Sequence, residues 1–171
     1  MASKKTQSAE NTTEISTKKT YRVKKDIDPN TVVSVRNGFQ GTLIYISNRT
    51  GERFTWDSFG DEQDMDLKEL KNAKNSSKIF FENNWFLIDD PEIIDYLGVT
   101  KYYENSLKYD SFDDLFEKKP SEIKEILSKI SNGQKLSVIY RAKQLIEDGS
   151  IDSIKTINAL ENSLSVELIE R

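Results

Sequence analysis

Thr31-Val32-Val33-Ser34-Val35-Arg36 and Thr42-Leu43-Ile44-Tyr45-Ile46-Ser47 alternate apolar with polar side chains on either side of the break Asn37-Gly38-Phe39-Gln40-Gly41. A two-residue period is the signature of a half-buried strand, because successive side chains in a pleated backbone point to opposite faces. Asn-Gly readily supplies the positive φ of a tight hairpin, so the two runs are predicted to be neighbouring strands of a meander. Asn48-Arg49-Thr50-Gly51 gives a second turn, and Glu52-Arg53-Phe54-Thr55-Trp56 a third strand with Phe54 and Trp56 on one face. Three short strands with one apolar face need a cover, either more strands closing an SH3-like barrel or the segments that follow.

Those segments begin with an extended run over 61–65, then Asp66-Leu67-Lys68-Glu69, the spacing of an N-cap with a returning N3 glutamate, which predicts a helix to about Lys74. Ser76 and Ser77 are placed to cap a short turn carrying Ile79, Phe80 and Phe81, and Asn84–Ile88 reads as a closing strand. From Asp90-Pro91 the chain is predicted to be helical, with a first helix stopped by Gly98 and short turns around Thr100–Leu107 and Ser111–Phe116. Ile123, Ile126, Leu127 and Ile130 form one amphipathic stripe ended by Asn132-Gly133. A helix over 134–148 is expected to bury Leu136, Val138, Ile139, Ala142, Leu145 and Ile146. A last helix capped by Asp152 carries Ile154, Ile157, Leu160 and Leu164, followed by a docking tail with Val166, Leu168 and Ile169. The reading is therefore α+β: a small antiparallel β-rich domain over 21–89 and a helical bundle over 90–171. Residues 1–20 offer Ile15 as their single large apolar side chain and are expected to form a disordered arm.

Composition narrows the chemistry. Cysteine and histidine both number zero, which removes disulfides, thiolate nucleophiles, Cys/His zinc sites and Ser-His-Asp triads. No run of about 18 apolar residues occurs, so no membrane-spanning helix is expected, and the polar residues after Met1 argue against a secretory signal. Residues 1–30 carry seven Lys/Arg against four Asp/Glu, leaving 18 against 25 in the remainder, so an acidic body follows a mildly basic arm. Gly38, Gly41, Gly51 and Gly60 match no phosphate-cradling spacing and read as turn residues. Asp57, Asp61, Glu62, Asp64 and Asp66 lack the internal glycine and ligand spacing of a calcium loop and read as a solvated acidic edge. Trp56, Phe59, Phe80, Phe81, Trp85 and Phe86 are expected to be mostly core. No cofactor and no metal ligand is expected.

Val33-Ser34-Val35-Arg36-Asn37 through Gly41-Thr42-Leu43-Ile44-Tyr45, Arg49-Thr50-Gly51, Trp56-Asp57-Ser58-Phe59-Gly60-Asp61-Glu62-Gln63, Phe81-Glu82-Asn83-Asn84-Trp85-Phe86 and Val166-Glu167-Leu168-Ile169-Glu170 resemble small structural proteins of tailed bacteriophages. The resemblance covers about residues 31–171, leaves the arm outside and contains no catalytic motif. It implies a virion component assembled in the host cytoplasm, present in repeated copies in a symmetric particle. The leading expectation is a non-enzymatic structural or adaptor protein that binds other virion or assembly proteins, its arm and sheet edge pairing with neighbours by strand addition. Tyr21, Val23, Val33, Val35, Phe39 and Tyr45 are the candidate contacts, for their apolar area at edge or loop positions. The alternative is a nucleic-acid-associated regulatory or packaging accessory protein using Lys18, Lys19, Arg22, Lys24 and Lys25 of the arm with Lys135, Arg141 and Lys143 of a helix-turn-helix-like segment. Against it, Lys129 falls where that motif wants a small buried residue, and the body is acidic. A third possibility, a carboxylate- or magnesium-dependent enzyme, requires a concave site with converging acids.

Overall fold

The protein's structure, a computed structural model, describes residues 26–170. The arm expected over 1–20 lies outside these residues. In chain order the elements are β1 (Val32–Asn37), β2 (Leu43–Ile46), β3 (Arg53–Trp56), β4 (Glu62–Asp66), α1 (Leu67–Ser76), α2 (Ile79–Glu82), β5 (Phe86–Leu87), α3 (Pro91–Leu97), α4 (Thr100–Tyr103), α5 (Pro120–Lys129), α6 (Asn132–Glu147) and α7 (Ile154–Leu164). Two 3₁₀ turns, Tyr109–Ser111 and Asp113–Glu117, stand where a capped helix was predicted. A small antiparallel sheet region followed by helices is the α+β arrangement expected from the sequence.

The meander is not formed. β1 pairs antiparallel with β4 (Val33 opposite Met65, Val35 opposite Gln63) and, at its far end, with β5 (Arg36 opposite Leu87). β2 and β3 make a separate two-stranded sheet. Asn37 explains the departure: its buried amide donates from Nδ2 to Gly41 O (2.7 Å) and Ser58 O (2.9 Å), and its Oδ1 accepts from Phe39 N (2.8 Å). The corner is thus organised by a side chain that carries the backbone from one sheet into the other. Gly38 serves a different need from turn geometry, since a Cβ there would lie 2.0 Å from Asn84 O. The turn at 48–51 does form the expected hairpin, with Ser47 Oγ accepting from Arg49 N and Thr50 N.

Between the two sheets lies an aromatic core. Phe86 is its centre, with ring centroids 5.7 Å from Tyr45, 5.4 Å from Trp56, 4.8 Å from Phe80 and 5.5 Å from Phe81. Trp56 Nε1 donates to Val35 O at 2.8 Å, joining β3 of one sheet to β1 of the other. α3 begins as predicted, with Asp90 Oδ1 accepting from Glu92 N and Ile93 N and Pro91 at the first helical position. Ile93, Leu97 and Val99 join this first core, which reaches Tyr103; a second core runs from Leu107 and Phe112 to Leu168 and Ile169, with Phe59 from the loop after β3 packed against it. α3 thus packs on the sheet region and shares its core.

α5 carries the predicted stripe, with Ile123, Leu127 and Ile130 buried. Ile130-Ser131 forms the break, and Ser131 Oγ caps α6 by accepting from Gln134 N (3.2 Å), so Gly133 sits inside α6 instead of ending α5. A Cβ on Gly133 would lie 2.3 Å from Asn83 O, so glycine lets α6 press against the loop before β5. Ser137 Oγ donates to Gly38 O (2.8 Å) on the same seam. Leu136, predicted to be buried, is exposed because the helix turns Gly133, Gln134, Ser137 and Val138 inward. Ser153, not Asp152, caps α7 by accepting from Thr156 N, and this leaves Ile154 exposed. Leu168 closes the second core, its N–H donating to Glu161 Oε1 at 2.9 Å.

Candidate protein-interaction surface

β2 has an open edge. Ser47 N–H donates to Glu52 O (2.8 Å), which fixes the phase of the β2–β3 ladder. Antiparallel pairs alternate between bonded and non-bonded, so Leu43 and Tyr45 exchange bonds with β3 while the main-chain N–H and C=O of Ile44 and Ile46 point away from it. Among the described residues no further strand pairs with that side. The Ile44 and Ile46 side chains are themselves 42% and 59% exposed. An edge that offers free main-chain groups, two isoleucines and neither Pro nor Lys is a template for strand addition.

β1 has a second open stretch. Leu67 N–H donates to Thr31 O and Asn37 N–H to Asp61 O, so Thr31, Val33, Val35 and Asn37 face β4, whereas Val32, Ser34 and Arg36 face the β5 side. β5 is only two residues long and covers Arg36 and Asn37, so no described strand lies beside Val32 and Ser34. A groove of about 250 Å³ runs there, floored by Val33, Ile88 and Ile93 and rimmed by Glu62, Asp89 and Asp90. Val32, at its mouth, is 62% exposed.

A concavity of about 780 Å³ lies between the 57–59 loop, the 3₁₀ turns and α6. Phe59, Tyr109 and Tyr140 line it together with Asp57, Asp110, Asp113, Asp114 and Arg141. Arg141 is held by Asp113 through Nε (2.9 Å) and Nη2. Arg36 lies over the Tyr109 ring and pairs with Glu62 (2.7 Å) and Asp89 (2.9 Å). Among the described residues no group of three or more carboxylates is arranged to hold a metal ion.

Beneath the β2–β3 turn sits a buried polar cluster that sequence reading assigned to a helix cap. Asp66 makes no side-chain cap bond; Glu69, 2% exposed, turns inward instead. Its carboxylate accepts from Tyr45 OH (2.8 Å), Arg49 Nη2 (2.8 Å) and Asn72 Nδ2 (2.9 Å). Burial pushes the Glu69 carboxyl up, but the hydrogen bonds around it outweigh this and hold it below the usual glutamate range. Burial and then the bond to Glu69 push the Tyr45 phenol up to about 12. The ion pair ties the hairpin turn to α1 and scaffolds the β2 edge.

Several expected contact residues are corrected by this geometry. Val33, Val35 and Tyr45 belong to the buried core, so their apolar area is already used. Phe39 is half-buried against Trp85, in an edge-on contact with centroids 6.2 Å apart. Tyr21, Val23, Lys18, Lys19, Arg22, Lys24 and Lys25 lie outside the described residues. Of the basic residues assigned to α6, Lys135 is partly buried, Arg141 is bound to Asp113 and Lys143 is exposed. The buried Gly133 and Gln134 start of α6 leaves the helix-turn-helix reading without the exposed helix N-terminus that such a motif inserts into DNA. Within the strands, the exposed large apolar residues that sequence reading missed are Val32, Ile44 and Ile46, one position out of phase with those chosen. No helix among the described residues is long and apolar enough to cross a membrane.

Comparison of the chain with protein-family models, curated proteins and solved structures returns no match.

Proposed function

We propose that this chain is a non-enzymatic structural or adaptor protein of a tailed-bacteriophage particle and that it binds a neighbouring protein through the open edge of β2. The observation that carries the binding role is the phase of the β2–β3 ladder, which leaves the main-chain groups and side chains of Ile44 and Ile46 available together. Strand addition uses that combination: main-chain bonds supply affinity, and the alternate side chains supply selectivity. The assignment to a phage particle rests on the resemblance carried by residues 31–171. Arg49, fixed by Glu69, holds the turn that carries the end of this edge.

Lysines at exposed edge positions are the usual natural guard against strand addition, so the test is the double substitution Ile44→Lys/Ile46→Lys. Both side chains point to solvent, and unfolding stability is expected to stay within about 0.5 kcal/mol of the parent, as for other exposed sites. Association with capsid, neck or tail proteins, measured by co-sedimentation, is expected to fall at least ~10-fold, equivalent to about 1.4 kcal/mol. A variant that associates as the parent does, or a parent that associates with none of these proteins, overturns the reading.

A further inference from the structure

β1, not β2, carries the inference that goes furthest. Its open stretch combines unpaired main-chain groups at Val32 and Ser34 with an apolar floor and acidic walls. On the outer face of the same sheet, Glu62, Asp64 and Asp66 of β4 stand opposite Arg36, Ser34 and Val32, while Asp89 and Asp90 line the far side of the groove. Arg36 and Lys68 offset part of this charge through their pairs with Glu62, Asp89 and Asp66. What fits is an extended segment, apolar on one face and cationic on the other.

The chain contains such a segment. Lys18-Lys19-Thr20-Tyr21-Arg22-Val23-Lys24-Lys25 has five basic residues and no acid, and Tyr21 and Val23 alternate with Arg22 and Lys24. We infer that the open stretch of β1 receives residues 20–25 of a second copy of this chain as an added strand, with Tyr21 and Val23 toward the groove floor and Arg22 and Lys24 toward the acidic face. The donor is a second copy because of how each chain leads into its own β1. Pro29 O accepts from Lys68 N, Thr31 O accepts from Leu67 N, and Asn30 Oδ1 accepts from Lys68 Nζ. These bonds turn the main chain of residues 29–31 toward α1 and β4, away from the open edge of β1, with Thr31 lining one end of the groove. A neighbouring copy presents the segment without crossing the end of the strand, and copies linked arm to groove form a head-to-tail series.

The inference rests on reading the chain as a strand-addition module but concerns another strand, and its test is separable. The chain has no cysteine, so introduced thiols report cleanly. Full-length Lys24→Cys and Ser34→Cys variants, whose positions fall on the same face of the added strand and of β1, are mixed and oxidised. A Lys24→Cys with Glu147→Cys mixture serves as the control. Disulfide between copies is expected at least ~10-fold faster than in the control, to slow on raising salt, and to persist with Ile44→Lys/Ile46→Lys in the background. Cross-linking no faster than in the control overturns the inference. So does a Lys24→Cys/Ser34→Cys double variant that closes only within single chains. Loss of partner binding in the β2 variant with cross-linking intact leaves this inference standing, and the converse leaves the β2 reading standing.

Discussion

Replacing Trp56 with alanine is expected to lower the unfolding free energy by about 3–5 kcal/mol, the range for removing a large aromatic side chain from a core. Trp56 is fully buried, stacks at a tilt on Phe86, and through its indole N–H holds the carbonyl of Val35 in the other sheet. The substitution therefore opens a cavity and releases the one indole bond that joins β3 to β1. Against a typical total of about 5–15 kcal/mol this is a large loss, visible in urea denaturation and as a drop of about 10 °C in melting temperature. Trp56→Phe keeps most of the ring area and is expected to lose clearly less. Equal losses for the two variants would show that the indole bond, and not burial, carries the effect.

Removing Glu69 is the next most damaging change. Glu69→Ala strands the buried Tyr45 OH donor, leaves the half-buried Asn72 Nδ2 with only its longer bonds to Tyr45 OH and Ser47 Oγ, and frees Arg49, at about 1–3 kcal/mol for a buried group left unsatisfied. Glu69→Gln keeps the volume and loses the charge, so it reports on pH. The Glu69 carboxyl in the folded state lies below its ordinary value of about 4.3. Its contribution is therefore complete above that value and is lost as pH falls through the folded-state pKa. The stability difference between parent and Glu69→Gln, measured by denaturation from pH 7 down to pH 3, is expected to shrink on acidification. Tyr45 works at the other end: its phenol is raised, so stability present below the ordinary tyrosine pKa of about 10 is lost as pH rises toward about 12. A pH-independent difference would mean that folding leaves the Glu69 pKa unmoved, and one that grows on acidification that Glu69 is held as a neutral acid.

Local signals in the sequence read well where the governing physics is local. Asp90-Pro91 starting α3, the Ser47–Gly51 turn and the Ile123–Ile130 stripe are each settled within a few residues, and the structure keeps them. Partner choice between strands is not local. Asn37-Gly38 has the composition of a tight hairpin, yet β1 finds its partners in residues 62–66 and 86–87, and the Asn37 amide bridges Gly41 and Ser58 at the corner. Glu69 matched a capping spacing, but the polar groups of Tyr45, Arg49 and Asn72 converge on it only once the hairpin folds over α1. The candidate contacts failed for a simpler reason. Alternation reveals that a strand has two faces and not which one is inside, so choosing Val33, Val35 and Tyr45 in place of Val32, Ile44 and Ile46 is a slip of one residue.

The most direct test of the central claim is amide hydrogen exchange at Ile44 and Ile46, compared between the isolated chain and the chain assembled with its partner. The account predicts rapid exchange at both amides in isolation and protection of both on assembly, with the Tyr45 amide, bonded to β3, slow in each state. Ile44 and Ile46 amides that stay unprotected in the assembled state, or that are already slow in the isolated monomer, would contradict it.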